Sequence, residues 1–265
     1  MPSFRFTLEY DGSDFAGWQR QSQGERTVQA TFEAALGELA GAPVQVRGSG
    51  RTDTGVHALG QVASATFETS LDAETLRRAL NAKLPGDIAV REAANAPSDF
   101  DARRSATGKL YRYSIWNGRE RSPLRARRFA FIPVPPGRSP LDSAAMSQAA
   151  RALVGEHDFA AFQAAGTDVR TTTRLLSQLD LNMRGKSPEG REIHLEVYAS
   201  GFLRHMVRNL AGTLIEVGQG RRDVASMPAL LASKDRSQAG PTAPAQGLTL
   251  IRVDYPARAL ECGSG

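Results

Sequence analysis

Hydrophobic periodicity along the chain predicts a mixed α/β fold. In the first hundred residues, apolar and polar side chains alternate over 4–10, 44–47, 61–67 and 88–91, as expected for strands. Apolar residues recur at helical spacing from Val28 to Leu39 and from Leu76 to Leu84. Thr27 and Gly41 are suited to begin and end the first of these helices. The predicted element order is therefore β-α-β-β-α-β.

The rest of the chain repeats this order with insertions. The pattern predicts strands at 109–116, 129–134, 171–183, 192–199 and 248–255, and helices at 143–154, 202–217 and 223–233. An irregular polar segment lies near residue 100, so we predict an N-terminal α/β half over 1–104 and a C-terminal α/β half over 105–265. Each half has the split βαβ order of ferredoxin-like and RRM-like domains. The predicted fold is α+β, with tandem halves that form one broad antiparallel sheet and carry their helices on one face.

The composition is that of a globular protein with a basic charge. The 265 residues are 41% hydrophobic and 23% charged, and the absence of a long apolar run argues against a membrane-spanning helix. The N-terminus has no apolar signal-peptide core, so we expect a cytoplasmic protein. The single cysteine, Cys262, excludes an internal disulfide and a thiolate metal cage. A net charge of +5, carried mainly by arginine, favours a nucleic acid or another polyanion as partner, although arginine enrichment can also follow genome composition.

The densest group of reactive and permissive residues is the loop from Gly48 to Ala58. Its three glycines let the backbone adopt positive φ values and approach a ligand closely. Asp53 stands at the centre, and Arg51 lies two residues before it. An aspartate in such a loop commonly serves only a turn. The concentration of reactive groups between two predicted strands favours a functional loop instead.

Other interpretations fit this loop less well. Asp53-Thr54-Gly55 is also an aspartic-protease signature, but such an enzyme needs two carboxylates that share a proton, and this chain has one such motif. A protease would therefore have to be a dimer, and the nearby Arg51 would oppose proton sharing by keeping the carboxylate ionised. The glycine pattern lacks the lysine and the helix of a phosphate-binding loop. The four histidines are scattered without metal-ligand spacing, so we expect no metal.

Two arginines and two tyrosines are further candidates. Arg204 and Arg208 are four residues apart on one face of the predicted helix 202–217, whose apolar residues indicate that it is buried. A buried arginine needs an anion, and Asp53 is a candidate. Tyr111 and Tyr113 project from one face of the strand 109–116. We expect one of them to pack in the core and the other to stack on a base, as sheet aromatics do in RNA-binding modules.

These features together resemble the tRNA pseudouridine synthase A family over nearly the whole chain. The resemblance is carried by the segments Glu9–Gln19, Gly50–Gln61, Phe100–Arg103 with Lys109–Tyr113, Gly201–Asn209 and Pro241–Tyr255. Thr54 departs from the family pattern, which usually has alanine there. Arg204 stands where other members often carry a different residue.

The resemblance implies an isomerase that converts uridine to pseudouridine at positions 38 to 40 of the tRNA anticodon arm. It implies a homodimer that needs no cofactor and has its active-site cleft between two α/β halves. By motif, Asp53 is the nucleophile and Arg208 its partner, Arg51 enters the RNA stack, and Tyr111 stacks on the flipped uracil. The alternatives are a non-catalytic RNA-binding protein on the same scaffold and a dimeric aspartic protease.

Overall fold

The described chain folds as two compact units. The computed structural model describes residues 1–22, 24–164, 166, 169–187 and 189–260, so Cys262 lies outside the described residues. The first unit comprises Met1–Lys109 and the chain from Leu250 onward, and the second unit comprises Leu110–Thr249. Residues from 250 onward therefore pack with the first unit, whereas the sequence analysis assigned them to the C-terminal half.

The first unit contains the predicted β-α-β-β-α-β order. Its elements are β1 (Ser3–Tyr10), α1 (Val28–Ala40), β2 (Arg47–Gly48), β3 (His57–Thr66), α2 (Ala73–Lys83) and β4 (Ile88–Ala96). Strand β1 pairs antiparallel with both β3 and β4, and β2 pairs antiparallel with β3. The last strand, β10 (Leu248–Asp254), lies beside β3. This pairing is why the end of the chain belongs to the first unit.

The two helices of the first unit begin at side-chain caps. Thr27 accepts a hydrogen bond from the Ala30 amide at the start of α1, and Gly41 ends that helix with a φ of +69°. Asp72 caps α2 by accepting a hydrogen bond from the Thr75 amide. The bounds predicted for α1 are confirmed because both of its signals are local in sequence.

The second unit is also mixed α/β. Its elements are β5 (Gly108–Gly118), β6 (Ala130–Pro133), α3 (Ser143–Arg151), β7 (Gly155–Asp158), β8 (Thr173–Ser187), β9 (Gly190–Ala199), α4 (Met206–Gly218) and α5 (Met227–Ser233). The strand order is β5-β9-β8-β7, and β6 runs parallel to β5. Strands β8 and β9 form the predicted antiparallel hairpin. None of the helices in the described ranges is both long and apolar enough to cross a membrane.

Two local predictions were wrong, and one strand was not predicted. Val44 and Val46 are buried as their alternation predicts, but the strand there is only Arg47–Gly48. Strand β7 was not predicted because its sequence, Gly-Glu-His-Asp, is polar. Helix α4 begins at Met206 rather than at residue 202, since His205 has a left-handed φ of 60° and interrupts the helical path. Arg204 consequently precedes α4 and does not share a helical face with Arg208, although α4 is buried along nearly its whole length.

Candidate active site

The loop that carries Asp53 joins β2 to β3 in the first unit. Asp53 is half-buried, with the buried Thr52 immediately before it and the exposed Thr54 after it. The Val56 amide donates a hydrogen bond to the Asp53 carbonyl at 3.1 Å, which turns the chain back toward β3. The loop thus brings an aspartate to the surface between the buried residues Thr52 and Val56.

The first part of this loop is fixed by the side chains of Gln61 on β3 and Lys109 on β5. Lys109 Nζ donates a hydrogen bond to the Ser49 carbonyl at 2.7 Å, and Gln61 Nε2 donates one to the Gly50 carbonyl at 2.9 Å. The Ser49 hydroxyl in turn donates to Gln61 Oε1 at 2.6 Å. Both carbonyls that precede Arg51 are therefore held. Burial lowers the pKa of Lys109 to about 8, and the positive charge of Arg103 lowers it further in the same direction.

The middle of the loop is fixed by the segment that follows β1. The Trp18 amide donates a hydrogen bond to the Thr52 carbonyl at 3.0 Å, and the hydroxyls of Tyr10 and Thr52 are 2.8 Å apart. Burial raises the pKa of Tyr10 to about 12. Gly17 has a φ of +96°, and a Cβ at this position would lie 2.8 Å from the Thr52 carbonyl oxygen. The close approach of the two backbones therefore requires glycine.

Arg51 is exposed and oriented by a glutamine. Its Nε donates a hydrogen bond to Gln19 Oε1 at 3.1 Å, and Gln19 Nε2 donates to Gln29 Oε1 on α1 at 2.7 Å. This chain of amides connects the arginine to a helix. The guanidinium is thus directed at the surface two residues before the carboxylate of Asp53.

The two tyrosines of β5 have different surroundings in the second unit. Tyr113 is fully buried, its hydroxyl donates to the Pro244 carbonyl at 2.9 Å, and burial raises its pKa. Tyr111 is nearly buried and packs edge-on against Phe202, with ring centroids 5.0 Å apart. The expectation that one of the pair packs in the core is confirmed for Tyr113. The stacking role of Tyr111 stays a prediction.

Arg208 lies in the first turn of α4 and is half-buried. Its Nε donates a hydrogen bond to the Ala243 carbonyl at 2.8 Å, and the Ala243 amide donates back to the Arg208 carbonyl at 3.1 Å. Helix α4 and the loop before β10 therefore hold the arginine from two sides. Its predicted pairing with Asp53 stays a prediction.

The structure places Asp53 and Arg51 in the first unit and Tyr111 and Arg208 in the second. It adds residues that the sequence analysis did not select, chiefly Lys109. That residue is one of four lysines in an arginine-rich chain, and this was the signal that could have drawn attention to it. Within the part of the chain that the structure describes, no group of three or more His, Cys, Asp or Glu residues could hold a metal ion.

Comparison with known proteins identifies the family. Residues 7–103 and 149–256 match the family described as tRNA pseudouridine synthase, so the chain belongs to this family. Among its relatives are proteins named tRNA pseudouridine synthase A. The one from Syntrophotalea carbinolica is 48% identical, and the alignment covers 96% of this chain and 97% of that protein. The one from Methylobacterium nodulans is 46% identical and covers 98% of both chains.

A likeness to a solved structure is much weaker. The match is to a chain in the crystal structure of a Cbf5-Nop10-Gar1 complex, with 11% identity and a TM-score of 0.34. It covers 93% of this chain and 57% of that one. A TM-score this low supports no statement about the fold.

Proposed function

We propose that this protein isomerises uridine to pseudouridine at positions 38 to 40 of the tRNA anticodon arm. The observation that carries the proposal is the Asp53 loop, whose backbone carbonyls at Ser49, Gly50 and Thr52 all accept hydrogen bonds while Arg51 is exposed. Such a loop can present a carboxylate and a cation together at fixed positions. The net charge of +5 suits an RNA substrate, and the relatives named above are tRNA pseudouridine synthases.

The reaction needs a nucleophile rather than an oxidant or a hydrolytic water. The carboxylate of Asp53 attacks the nucleotide, and the bond between N1 of uracil and C1′ of ribose breaks. The uracil then turns, C5 bonds to C1′ and the bond to the Asp53 carboxylate breaks, which regenerates the free enzyme. C5 loses its proton, and N1 gains one. All heavy atoms of the base and the sugar are retained, so the isomerisation requires no redox cofactor.

The other candidate residues prepare this step. A base inside a stacked stem must first be extruded, at a cost of about a few kcal/mol. Arg51 fills the gap that the base leaves, and Tyr111 stacks on the extruded uracil. Arg208 compensates the charge of Asp53, because a carboxylate that loses water resists ionisation unless a cation is close. The fixed loop lowers the entropic cost of placing the carboxylate against its target.

Tritium release from tRNA labelled at uracil C5 tests the proposal. We expect release by the wild type and none by Asp53→Ala, which should still bind tRNA. Asp99→Ala, a change at an exposed aspartate outside the loop, serves as the matched control and should release tritium normally. Unchanged release by Asp53→Ala would remove this residue from the mechanism. Binding of tRNA without release by any of the three proteins would favour a non-catalytic RNA-binding protein.

The proposal extends to architecture and assembly. Each compact unit carries a mostly antiparallel set of strands with helices, which supports tandem ferredoxin-like halves. The family resemblance supports a cytoplasmic homodimer. Sedimentation equilibrium tests the assembly, since a dimer has twice the chain mass of 28.5 kDa. A particle with the mass of one chain at working concentrations would contradict it.

A further inference from the structure

An arginine-rich segment follows β5 immediately and is not used by the proposed reaction. Residues 119–128, here called the arginine segment, contain five arginines and one glutamate. The arginines are at positions 119, 121, 125, 127 and 128. The segment connects β5 to β6 within the second unit. It is the strongest concentration of like charge in the sequence, so its positive charges require an explanation.

One arginine of the segment serves to anchor it. Arg125 Nε donates a hydrogen bond to Glu192 Oε1 at 2.8 Å, and its guanidinium lies 4.4 Å from the centroid of the Trp116 ring. Trp116 Nε1 donates to the Glu120 carbonyl at 2.9 Å. The Arg119 amide donates to the Glu189 carbonyl at 3.1 Å. The backbone of the segment is thus fixed on β5 and on the β8–β9 hairpin.

The remaining positive charges face solvent. Arg119, Arg121 and Arg128 are exposed, and within the described ranges of the chain their side chains have no hydrogen bond or ion pair. Leu124 is 97% exposed in their midst. Arg119 and Arg138 both line one cavity of about 300 Å³, which brings a further arginine to the same region. Two carboxylates are close by, since Glu120 lies within the segment and Glu189 lines the same cavity, but the arginines outnumber them. The excess of positive charge fits a polyanionic ligand.

We propose that the arginine segment binds the sugar–phosphate backbone of tRNA outside the anticodon arm. This inference rests on the proposed function. Gly118 lies seven residues after Tyr111 on β5, a distance of about 23 Å at the rise of an extended strand. That distance spans several base-pair steps of a duplex. The segment must therefore contact a different nucleotide from the one that stacks on Tyr111. Because the backbone of the arginine segment is already fixed, little conformational entropy is lost when it binds.

A charge-matched pair of variants tests this surface. The test variant carries Arg119→Gln, Arg121→Gln and Arg128→Gln. The control carries Arg151→Gln, Arg221→Gln and Arg258→Gln, all at exposed positions elsewhere. Both triple variants lose three positive charges. Dissociation constants are measured at several salt concentrations for full-length tRNA and for the isolated anticodon stem-loop, together with tritium release from both RNAs.

We expect the test variant to bind full-length tRNA at least about tenfold more weakly than the wild type. The slope of log K against log salt concentration should fall by about 2 to 3, since each lost phosphate contact removes nearly one counterion. The control should change little, and all three proteins should bind and convert the stem-loop alike. Equal losses on the stem-loop, equal losses in the control, or unchanged tRNA binding would each overturn the proposal. Failure of the proposed function is distinguishable, because the wild type would then release tritium from neither RNA.

Discussion

Lys109 makes the stability of the first unit depend on pH in a direction that can be measured. Its ammonium contacts the Ser49 carbonyl, and burial lowers its pKa from 10.5 to about 8. The unfolded chain keeps the ordinary pKa. Between these two values the unfolded state holds a proton that the folded state has released. The wild type therefore gains stability as pH rises through this interval and carries the cost of a buried charge below it.

The size of this effect follows from the shift. Each pH unit between the two pKa values contributes about 1.4 kcal/mol, so the wild type should gain about 2 kcal/mol between pH 7 and pH 9.5. Lys109→Met keeps an unbranched side chain of similar length and removes the titrating group. The difference in unfolding free energy between wild type and variant should therefore shift by about 2 kcal/mol in favour of the wild type over this range.

Urea denaturation at closely spaced pH values measures this difference. Lys83→Met is the matched control, because Lys83 lies on the surface of α2 and pairs with Glu38. The difference between this control and the wild type should stay constant from pH 7 to pH 9.5. A Lys109→Met difference that also stays constant would refute the reasoning, since it would mean that the Lys109 ammonium remains charged and hydrated in the folded protein.

Three further substitutions test the packing and the site. Gly212→Ala in the buried α4 places a Cβ 1.7 Å from the Pro241 carbonyl oxygen and should lower the unfolding free energy by about 3 kcal/mol or more. Gly86→Ala meets open space, so its unfolding free energy in urea denaturation should be nearly unchanged. Tyr10→Phe removes the buried hydroxyl contact with Thr52 and should lower the unfolding free energy by about 1 to 2 kcal/mol, and an unchanged denaturation midpoint would contradict this. Arg51→Ala should slow single-turnover pseudouridine formation at least about tenfold without changing the melting temperature. A normal single-turnover rate would count against its role in base extrusion.

Elements with local signals were predictable from the sequence. The bounds of α1 follow from Thr27 and Gly41, which act within one turn of the helix. The hairpin β8–β9 follows from alternation in two neighbouring segments. The start of α4 was not predictable, because the apolar run through Phe202 and Leu203 continues the helical spacing while the backbone turns at His205. A single residue in a left-handed conformation leaves no trace in the hydrophobic periodicity.

In the candidate site, too, features with local signals were predictable and contacts between distant residues were not. The density of glycine around Asp53 singled out the loop, since chain flexibility can be read from residue types. The contacts that fix the loop could not be read in this way, because Lys109 is 60 residues from Ser49 and Tyr10 is 42 residues from Thr52. Alternation on β5 predicted that Tyr111 and Tyr113 share a face. It could not predict that Tyr113 bonds the Pro244 carbonyl, since that carbonyl comes from a loop 131 residues later.

The first unit is built from two stretches of sequence that are far apart, so it can be completed only late in synthesis. Its sheet includes β10, and Tyr255 donates a hydrogen bond to the Ala102 carbonyl at 2.6 Å while its ring packs on Phe100. A ribosome adds about 5 to 20 residues per second, so the first hundred residues wait many seconds for these partners. The second unit is contiguous, and all of it has been synthesised before β10 is complete. The unit that carries Asp53 is therefore the first to be made and the last to be finished.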